Sequence, residues 1–369
     1  MLRIRGLSKQ YPGVLALDRV DFEVAAGEVH ALVGENGAGK STLVKILGGA
    51  VEPDSGDVAL AGRRLPLGSP VAARRAGVAI IYQEFSLAPE LSAAENIFLG
   101  REQTRFGLLC GRTMRDAARA VLERLGCNAD PAARVESLSV GVRQQVEIAR
   151  ALAFDARLLV FDEPSATLTD QELSRLFETI RQLRAAGLAI IYISHRLEEI
   201  FALADRVTVL RDGRKIGTRP TSEVTKQDLA NWMVGREVGF TPDRGNVERG
   251  ETRLEVKDIS CGSDRGTPGL RSVTFEIHSG EILGIAGVSG NGQRELAEVI
   301  AGLRKAVSGQ VVLEGQDVTG LPPAARADRM LSYIPEERMR DGVIREFTVA
   351  ENMVLREHEK RPYSRAGFL

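Results

Sequence analysis

Four segments in the N-terminal part of the chain are apolar without alternation: Val29–Val33, Val78–Tyr82, Leu158–Phe161 and Ala189–Ile193. Runs this short with no polar face predict strands buried on both sides, the pattern of a parallel sheet covered by helices in an α/β fold. Each run leads directly into glycine or polar residues: Gly34, Gln83, Asp162-Glu163 and Ser194-His195. In an open α/β sheet the carboxyl ends of the strands border the ligand site, so these residues are expected along one edge. Helical periodicity lies between the strands. Leu173, Leu176, Phe177, Ile180 and Leu183 share one face of a stretch opened by the capping box Thr169-Asp170-Gln171-Glu172, and they are packing residues. Further helices are predicted over Arg143–Leu152 and directly after Thr42.

Gly34-Glu35-Asn36-Gly37-Ala38-Gly39-Lys40-Ser41-Thr42 fits G-x-x-x-x-G-K-[ST] and sits between a strand and an amphipathic stretch, the context a phosphate loop needs. Its glycines permit φ > 0, which turns successive N–H groups toward phosphate oxygens at the positive end of a helix. Lys40 is expected on the β/γ-phosphates and Ser41 on Mg²⁺. A Gly-rich turn without a ligand would not need the Lys-Ser pair, so the chain reads as binding ATP or GTP.

The other strand ends fit the same chemistry. Asp162 is expected to hold Mg²⁺, directly or through water, and Glu163 to polarise the attacking water. His195 can donate to a γ-phosphate oxygen, and Gln83 can ligate Mg²⁺ through its amide oxygen or orient water. In isolation Asp162-Glu163-Pro164 is equally a strand end with a polar turn; the preceding phosphate loop favours the chemical reading.

Phe22–Gly34 recurs as Phe275–Gly287 at a constant offset of 253, and Ser55-Gly56 recurs as Ser308-Gly309. The chain therefore reads as a complete first unit over 1–240, a Pro/Gly/charge-rich linker over 241–250 and a second unit over 251–369. Only 118 residues follow Glu251, and the tail Arg361–Leu369 has no terminal signal, so the second unit is expected to be incomplete. Its loop, Gly287-Val288-Ser289-Gly290-Asn291-Gly292-Gln293-Arg294, keeps glycines but puts Gln293 at the place of Lys40 and Arg294 at that of Ser41. Glu336 stands where the first unit has Gln83. Weak nucleotide binding through Arg294 is compatible with this loop, and efficient hydrolysis is not expected there.

Composition narrows the class. Lys plus Arg number 49 and Asp plus Glu 50, a balance that argues against a nucleic-acid partner held by bulk charge. Cys110, Cys127 and Cys261 form no C-x-x-C pair, so neither a disulfide framework nor a zinc site is indicated, and a reducing compartment fits. No apolar run approaches the length of a membrane span, and Met1-Leu-Arg-Ile-Arg5 opens a strand and not a signal peptide. A membrane role needs another subunit.

Leu138-Ser139-Val140-Gly141-Val142-Arg143-Gln144-Gln145 offers a hydroxyl and free N–H groups at a helix start, a second anion site separate from the first. Two such sites point to one ATP shared between two domains. Here the sequence resembles the ABC transporter ATPases, whose signature is L-S-G-G-Q or a near relative, with Val140 replacing the first signature glycine. Within them it is most similar to the double-unit ATPases of monosaccharide importers for ribose, galactose, xylose or arabinose. Tyr11–Leu17, Gly34–Thr42, Ile80–Glu84, Ala94–Gly100, Leu138–Gly141, Asp162–Pro164 and Ile193–Leu197 carry the resemblance, which covers essentially the whole chain.

The resemblance implies tandem P-loop NTPase domains, each with a mixed sheet core and an antiparallel β subdomain, the first also with a helical signature subdomain. It implies that Tyr11 stacks on adenine, that Gln83 senses Mg²⁺ and the membrane partner, and that Ser139 with Gly141 grips the γ-phosphate of ATP held by an opposite unit. That unit is a second ABC unit or a second copy of the chain. It further implies polytopic permease subunits, a periplasmic or extracellular solute-binding protein, and a peripheral place on the cytoplasmic face of the cell membrane. Gly290–Gln293 and Pro335–Arg338 lean toward the nucleoside or mixed simple-sugar group. A non-hydrolysing regulatory fragment is another reading, and so is a non-transport ABC protein acting on ribosomes or DNA, against which the short linker argues.

Overall fold

A computed structural model describes residues 1–83, 85–105, 107–165, 168–236, 249–263, 268–287, 290–357 and 362–363; most of the predicted linker and tail, with Glu84, Val288 and Ser289, lie outside the described residues. The chain divides into two compact units, Met1–Phe240 and Thr241–Leu369.

The first unit runs β1 (Leu2–Tyr11), β2 (Val14–Val24), β3 (Val29–Val33), α1 (Lys40–Leu47), β4 (Ser55–Leu60), β5 (Arg63–Arg64), α2 (Pro70–Arg75), β6 (Val78–Ile81), α3 (Ala93–Phe98), β7 (Thr104–Arg105), β8 (Leu108–Leu109) and α4 (Gly111–Arg124). It continues through α5 (Val140–Ala153), β9 (Leu158–Asp162), α6 (Asp170–Ala185), β10 (Ala189–Ile193), α7 (Leu197–Leu203), β11 (Arg206–Arg211), β12 (Arg214–Pro220) and α8 (Lys226–Val234).

Its central sheet is ordered β12-β11-β3-β10-β9-β6, with β12 alone antiparallel to its neighbour. Every residue of β3 and β10 is buried, as uninterrupted apolar runs require. The pleat sorts their side chains between two cores. Val29, Ala31 and Val33 face the helical side with Phe161, Tyr192, Val146 of α5 and Ile180 of α6. Leu32 faces the other, where Leu43 and Leu47 of α1 meet Leu2, Ile4 and Phe22 of an antiparallel sheet ordered β2-β1-β4-β5. Helices α3, α4 and α5 pack together through Ile97, Met114, Ala118 and Ile148, forming the helical lobe that carries the signature segment.

The second unit contains β13 (Thr252–Gly262), β14 (Pro268–His278), α9 (Gln293–Ala301), β15 (Ser308–Leu313), β16 (Gln316–Asp317), α10 (Pro323–Ala327) and α11 (Val349–Val354). Its antiparallel sheet, β14-β13-β15-β16, repeats the order of the first unit's β2-β1-β4-β5 and encloses Val256, Ile259, Leu296, Val299 and Val311. The mixed sheet core implied for this unit is not formed among the described residues. Glu281–Gly287, the copy of Glu28–Gly34, belongs to no strand, and Ile282 is 97% exposed where Val29 is fully buried. The reason is pairing. β3 takes both of its ladders from β10 and β11, and the offset of 253 carries the counterparts of those strands past residue 369.

Candidate active site

β3 ends at Val33, and α1 begins at Lys40 behind the N-cap Gly39 at φ 104°. A side chain at Gly39 would bring Cβ to 2.5 Å from the Ala16 carbonyl oxygen, and at Gly292, the N-cap of α9 at φ 98°, to 2.6 Å from that of Gly269. The two loops therefore share one backbone turn that only glycine fits. Lys40 is 8% exposed, and its Nζ donates to the carbonyls of Gly34 at 2.6 Å and Glu35 at 3.0 Å. The ammonium thus sits in the hollow of the loop on acceptors that phosphate oxygens can replace. Burial lowers its pKa, and the carboxylates of Glu163 and Asp162 oppose that shift. Around it Glu35, Asn36 and Ser41 are exposed, Thr42 is half-buried and Ala38 is buried.

Asp162 on β9 pairs with Ile193 on β10, so Glu163 and Ser194-His195 leave the sheet side by side. His195 Nδ1 stands 3.3 Å from Glu163 Oε2. Glu163 holds φ at 49°, in the left-handed region, with its N–H donated to the Ile193 carbonyl at 3.0 Å. Such a conformation in a non-glycine residue costs roughly 1 kcal/mol or more and is found preferentially at functional sites. Burial raises the pKa of Asp162 and the Glu163 charge adds to it, while Lys40 and Lys45 oppose. Gln83 is exposed, two residues beyond β6, whose Ile81 pairs with Phe161. Loop, lysine, both carboxylates, histidine and Gln83 all stand at or just past the carboxyl ends of the parallel strands of one sheet.

No motif marks the group that braces the turn around His195. Glu199, 3% exposed, accepts from Tyr192 Oη at 2.9 Å and Ser194 Oγ at 2.7 Å, and Ser194 Oγ accepts the Arg196 N–H at 3.0 Å. The turn around His195 is fixed from below.

Ser139 is the N-cap of α5, accepting the Val142 N–H at 3.4 Å, so the helix starts at Val140, earlier than predicted. The N–H groups of this segment are not free as the sequence suggests. Gly141 donates to Glu172 Oε1 at 3.0 Å, while Glu172 Oε2 closes the predicted capping box by accepting from the N–H and Oγ1 of Thr169. One carboxylate thus serves two helix starts, because each leaves donors without an intrahelical partner. No hydrogen bond or ion pair joins Ser139 or Gly141 to Gly34–Thr42 among the described residues. Tyr11 ends β1, with the Lys9 ammonium 5.7 Å from its ring centroid. In the second unit the Gln293 side chain lies against Gly287, and Arg294 pairs with Glu298 at 2.7 Å.

The ABC transporter family matches residues 17–166 and 270–366. The chain belongs to the ABC transporter family. This ABC protein is 46% identical to the ribose import ATP-binding protein RbsA 1 of Rubrobacter xylanophilus, over 98% of its own length and 71% of that relative's. It is 43% identical to the glucose import ATP-binding protein TsgD13 of Haloferax volcanii, spanning 96% of itself and 70% of the relative. To the nucleoside import ATP-binding protein NupA of Lactococcus lactis it is 39% identical, with 100% and 73% covered. An ATP-binding cassette of an ABC transporter, solved in its ADP conformation, shares the fold with a TM-score of 0.57 at 25% identity, over 64% of this chain and 99% of that one. Like the import ATP-binding proteins it matches, this ABC protein is an ATPase.

Proposed function

We propose that this ATPase energises import of a simple sugar through a separate membrane permease, with 1–240 as the complete catalytic unit and 251–369 as part of a degenerate second one. The observation that carries the catalytic half of this reading is the convergence of Lys40, Asp162, Glu163 and His195 on one sheet edge, with Glu163 and His195 in contact at 3.3 Å. The ribose and glucose importers among the relatives support the solute class.

In this reading Gly34–Thr42 wraps the phosphates with backbone N–H groups, and Lys40 moves from its carbonyl contacts to the β/γ oxygens. Glu163 takes a proton from the water that attacks the γ-phosphorus in line, and the phosphoryl–oxygen bond to ADP breaks. His195 holds the γ-phosphate and, by its contact, the Glu163 carboxylate. Ser41, Asp162 and Gln83 offer only oxygen donors, a set that suits Mg²⁺, which when bound neutralises charge on the phosphate oxygens. Tyr11 stacks on adenine. Ser139 and Gly141 serve the ATP of an opposing unit, a second ABC unit or a second copy. The second loop binds nucleotide at least tens of times more weakly, since charge-assisted contacts worth about 1.5 to 3 kcal/mol each are missing.

Permease subunits and a solute-binding protein are the partners that go with this function, and the cytoplasmic face of the membrane is the place; among the described residues no helix is long and apolar enough to cross a membrane. ATP hydrolysis by the chain reconstituted with its permease and solute-binding protein tests the proposal: stimulation by ribose or another pentose or hexose is expected. Stimulation by nucleosides alone would replace it with the second reading, which the similarity to NupA favours. Stimulation by neither would remove both.

A further inference from the structure

Ser86 lies three residues beyond Gln83 on the segment between β6 and α3, and α5 takes hold of both its backbone groups. Glu147 Oε1 accepts its N–H at 2.6 Å, and Arg150 Nη1 donates to its carbonyl at 2.9 Å. Three residues apart on a helix, Glu147 and Arg150 share a face, so the pair meets Ser86 as a neighbouring strand would. Two residues further on, Asn96 of α3 treats Ala88 alike, accepting its N–H at 2.8 Å and donating to its carbonyl at 3.0 Å. In the second unit Asn352 holds Ile344 the same way, at 2.8 and 2.9 Å. The asparagine is thus the repeat's own means of shaping this segment, to which Glu147 and Arg150 add a hold from the helix that begins at the signature.

Glu147 is an expensive residue for that place. It is 7% exposed, and its Oε2 has no hydrogen-bond partner among the described residues. An apolar side chain would pack there without burying a carboxylate. Among the described residues, the charged groups that act on the pair are Glu147 and Arg150 themselves on α5 and Arg74 of α2, which acts on Arg150. A buried, half-satisfied acid aimed at one peptide group beside the active site asks for a reason beyond packing.

We infer that Glu147 and Arg150 are a positioning pair that ties the place of Gln83 to that of Ser139 and Gly141, through the backbone of Ser86. This rests on the ATPase reading, with Gln83 at the working edge. Movement of the signature end of α5 then shifts Gln83 relative to Asp162, and the reverse.

In the full chain, Glu147→Ala should lower ATP turnover about tenfold while affinity for a fluorescent ATP analogue stays within about twofold. Glu147→Gln, which keeps an acceptor oxygen, should restore most of the turnover. In a Gln83→Ala background, Glu147→Ala should add less than about twofold, because both act through one group. Amide exchange at Ser86 should rise about tenfold or more in Glu147→Ala, a readout that needs no turnover. Effects that multiply in the double variant, or unaltered exchange at Ser86, overturn the pairing. Lys40→Ala is the separate control: undiminished nucleotide affinity there overturns the ATPase site and leaves the Ser86 result to stand or fall alone.

Discussion

Glu172 Oε1 accepts the Gly141 N–H at 3.0 Å, so a carboxylate of the chain itself occupies the donor that a γ-phosphate from an opposing unit would take. The two acceptors are alike in charge and compete for one N–H. Glu172→Ala should therefore strengthen ATP-driven association between copies several-fold, read by sedimentation in a Glu163→Gln background, while loss of the capping box costs roughly 1 kcal/mol of stability. Unchanged association would mean that Gly141 takes no part in holding nucleotide.

Glu163 and His195 make separable predictions. Glu163→Gln should keep ATP binding and lower hydrolysis by roughly 10² to 10⁴, the range of a positioned base. His195→Ala should also slow hydrolysis, but by less, since it removes the contact to Glu163 and leaves the proposed base itself. Near wild-type rates in Glu163→Gln would move the base to another residue.

Lys40→Ala should weaken ATP binding and abolish turnover, because the loop loses the cation that now rests on the Gly34 and Glu35 carbonyls. Equilibrium titration with a fluorescent nucleotide measures this directly. Tight binding that survives the substitution would assign it to the second loop.

Burial pushes the Glu147 carboxyl up to about 7, against the pull of the Ser86 N–H and Arg150. A group whose folded pKa exceeds its unfolded value favours the folded state fully below the unfolded value of 4.5, and that support is lost as pH rises through 7. Between about pH 5 and pH 8, wild-type stability should fall relative to Glu147→Gln by roughly 2 to 3 kcal/mol, measured as urea midpoints. A difference independent of pH would show that the carboxyl titrates normally.

Arg326 predicts a fault confined to the second unit. It is 2% exposed and donates to the carbonyls of Leu321, Val299, Ile300 and Thr319 at 2.7 to 2.9 Å, which closes the end of α9. Arg326→Met should destabilise that unit by about 3 to 5 kcal/mol, seen as faster amide exchange in β13 and β15, with ATP affinity at the first loop unchanged. Slow exchange in the variant would show that these carbonyls find other donors.

What could be read from the residues follows physical range. The strands β3, β9 and β10 were legible because a buried parallel strand leaves an unbroken apolar run, and the edge they share followed from the polar residues just past each run. The family resemblance found on those motifs is borne out by the family match and by the importers it is similar to. The Thr169–Glu172 capping box was legible because it is local. Glu172 bound to Gly141, 31 positions away, and Glu147 bound to Ser86, 61 positions away, were not, since no spacing rule links them. Arg326 escaped notice for another reason: its counterpart in the first unit is Ala73, so the repeat itself does not announce it. The resemblance also implied a mixed sheet core for the second unit, yet Glu281–Gly287, the copy of Glu28–Gly34, forms no strand.

The place of β3 between β10 and β11 sets a timetable for synthesis. The phosphate loop follows a strand whose two neighbours are completed only at Ile193 and Arg211. At about 5 to 20 residues per second, a ribosome reaches them roughly eight to thirty-five seconds after it has made the loop. During that interval β1, β2 and β4 can already form their antiparallel sheet, while the apolar run Val29–Val33 stays without a ladder. A nascent chain paused before Ile193 thus presents the nucleotide loop on an unpaired hydrophobic strand, the kind of segment that chaperones are there to cover.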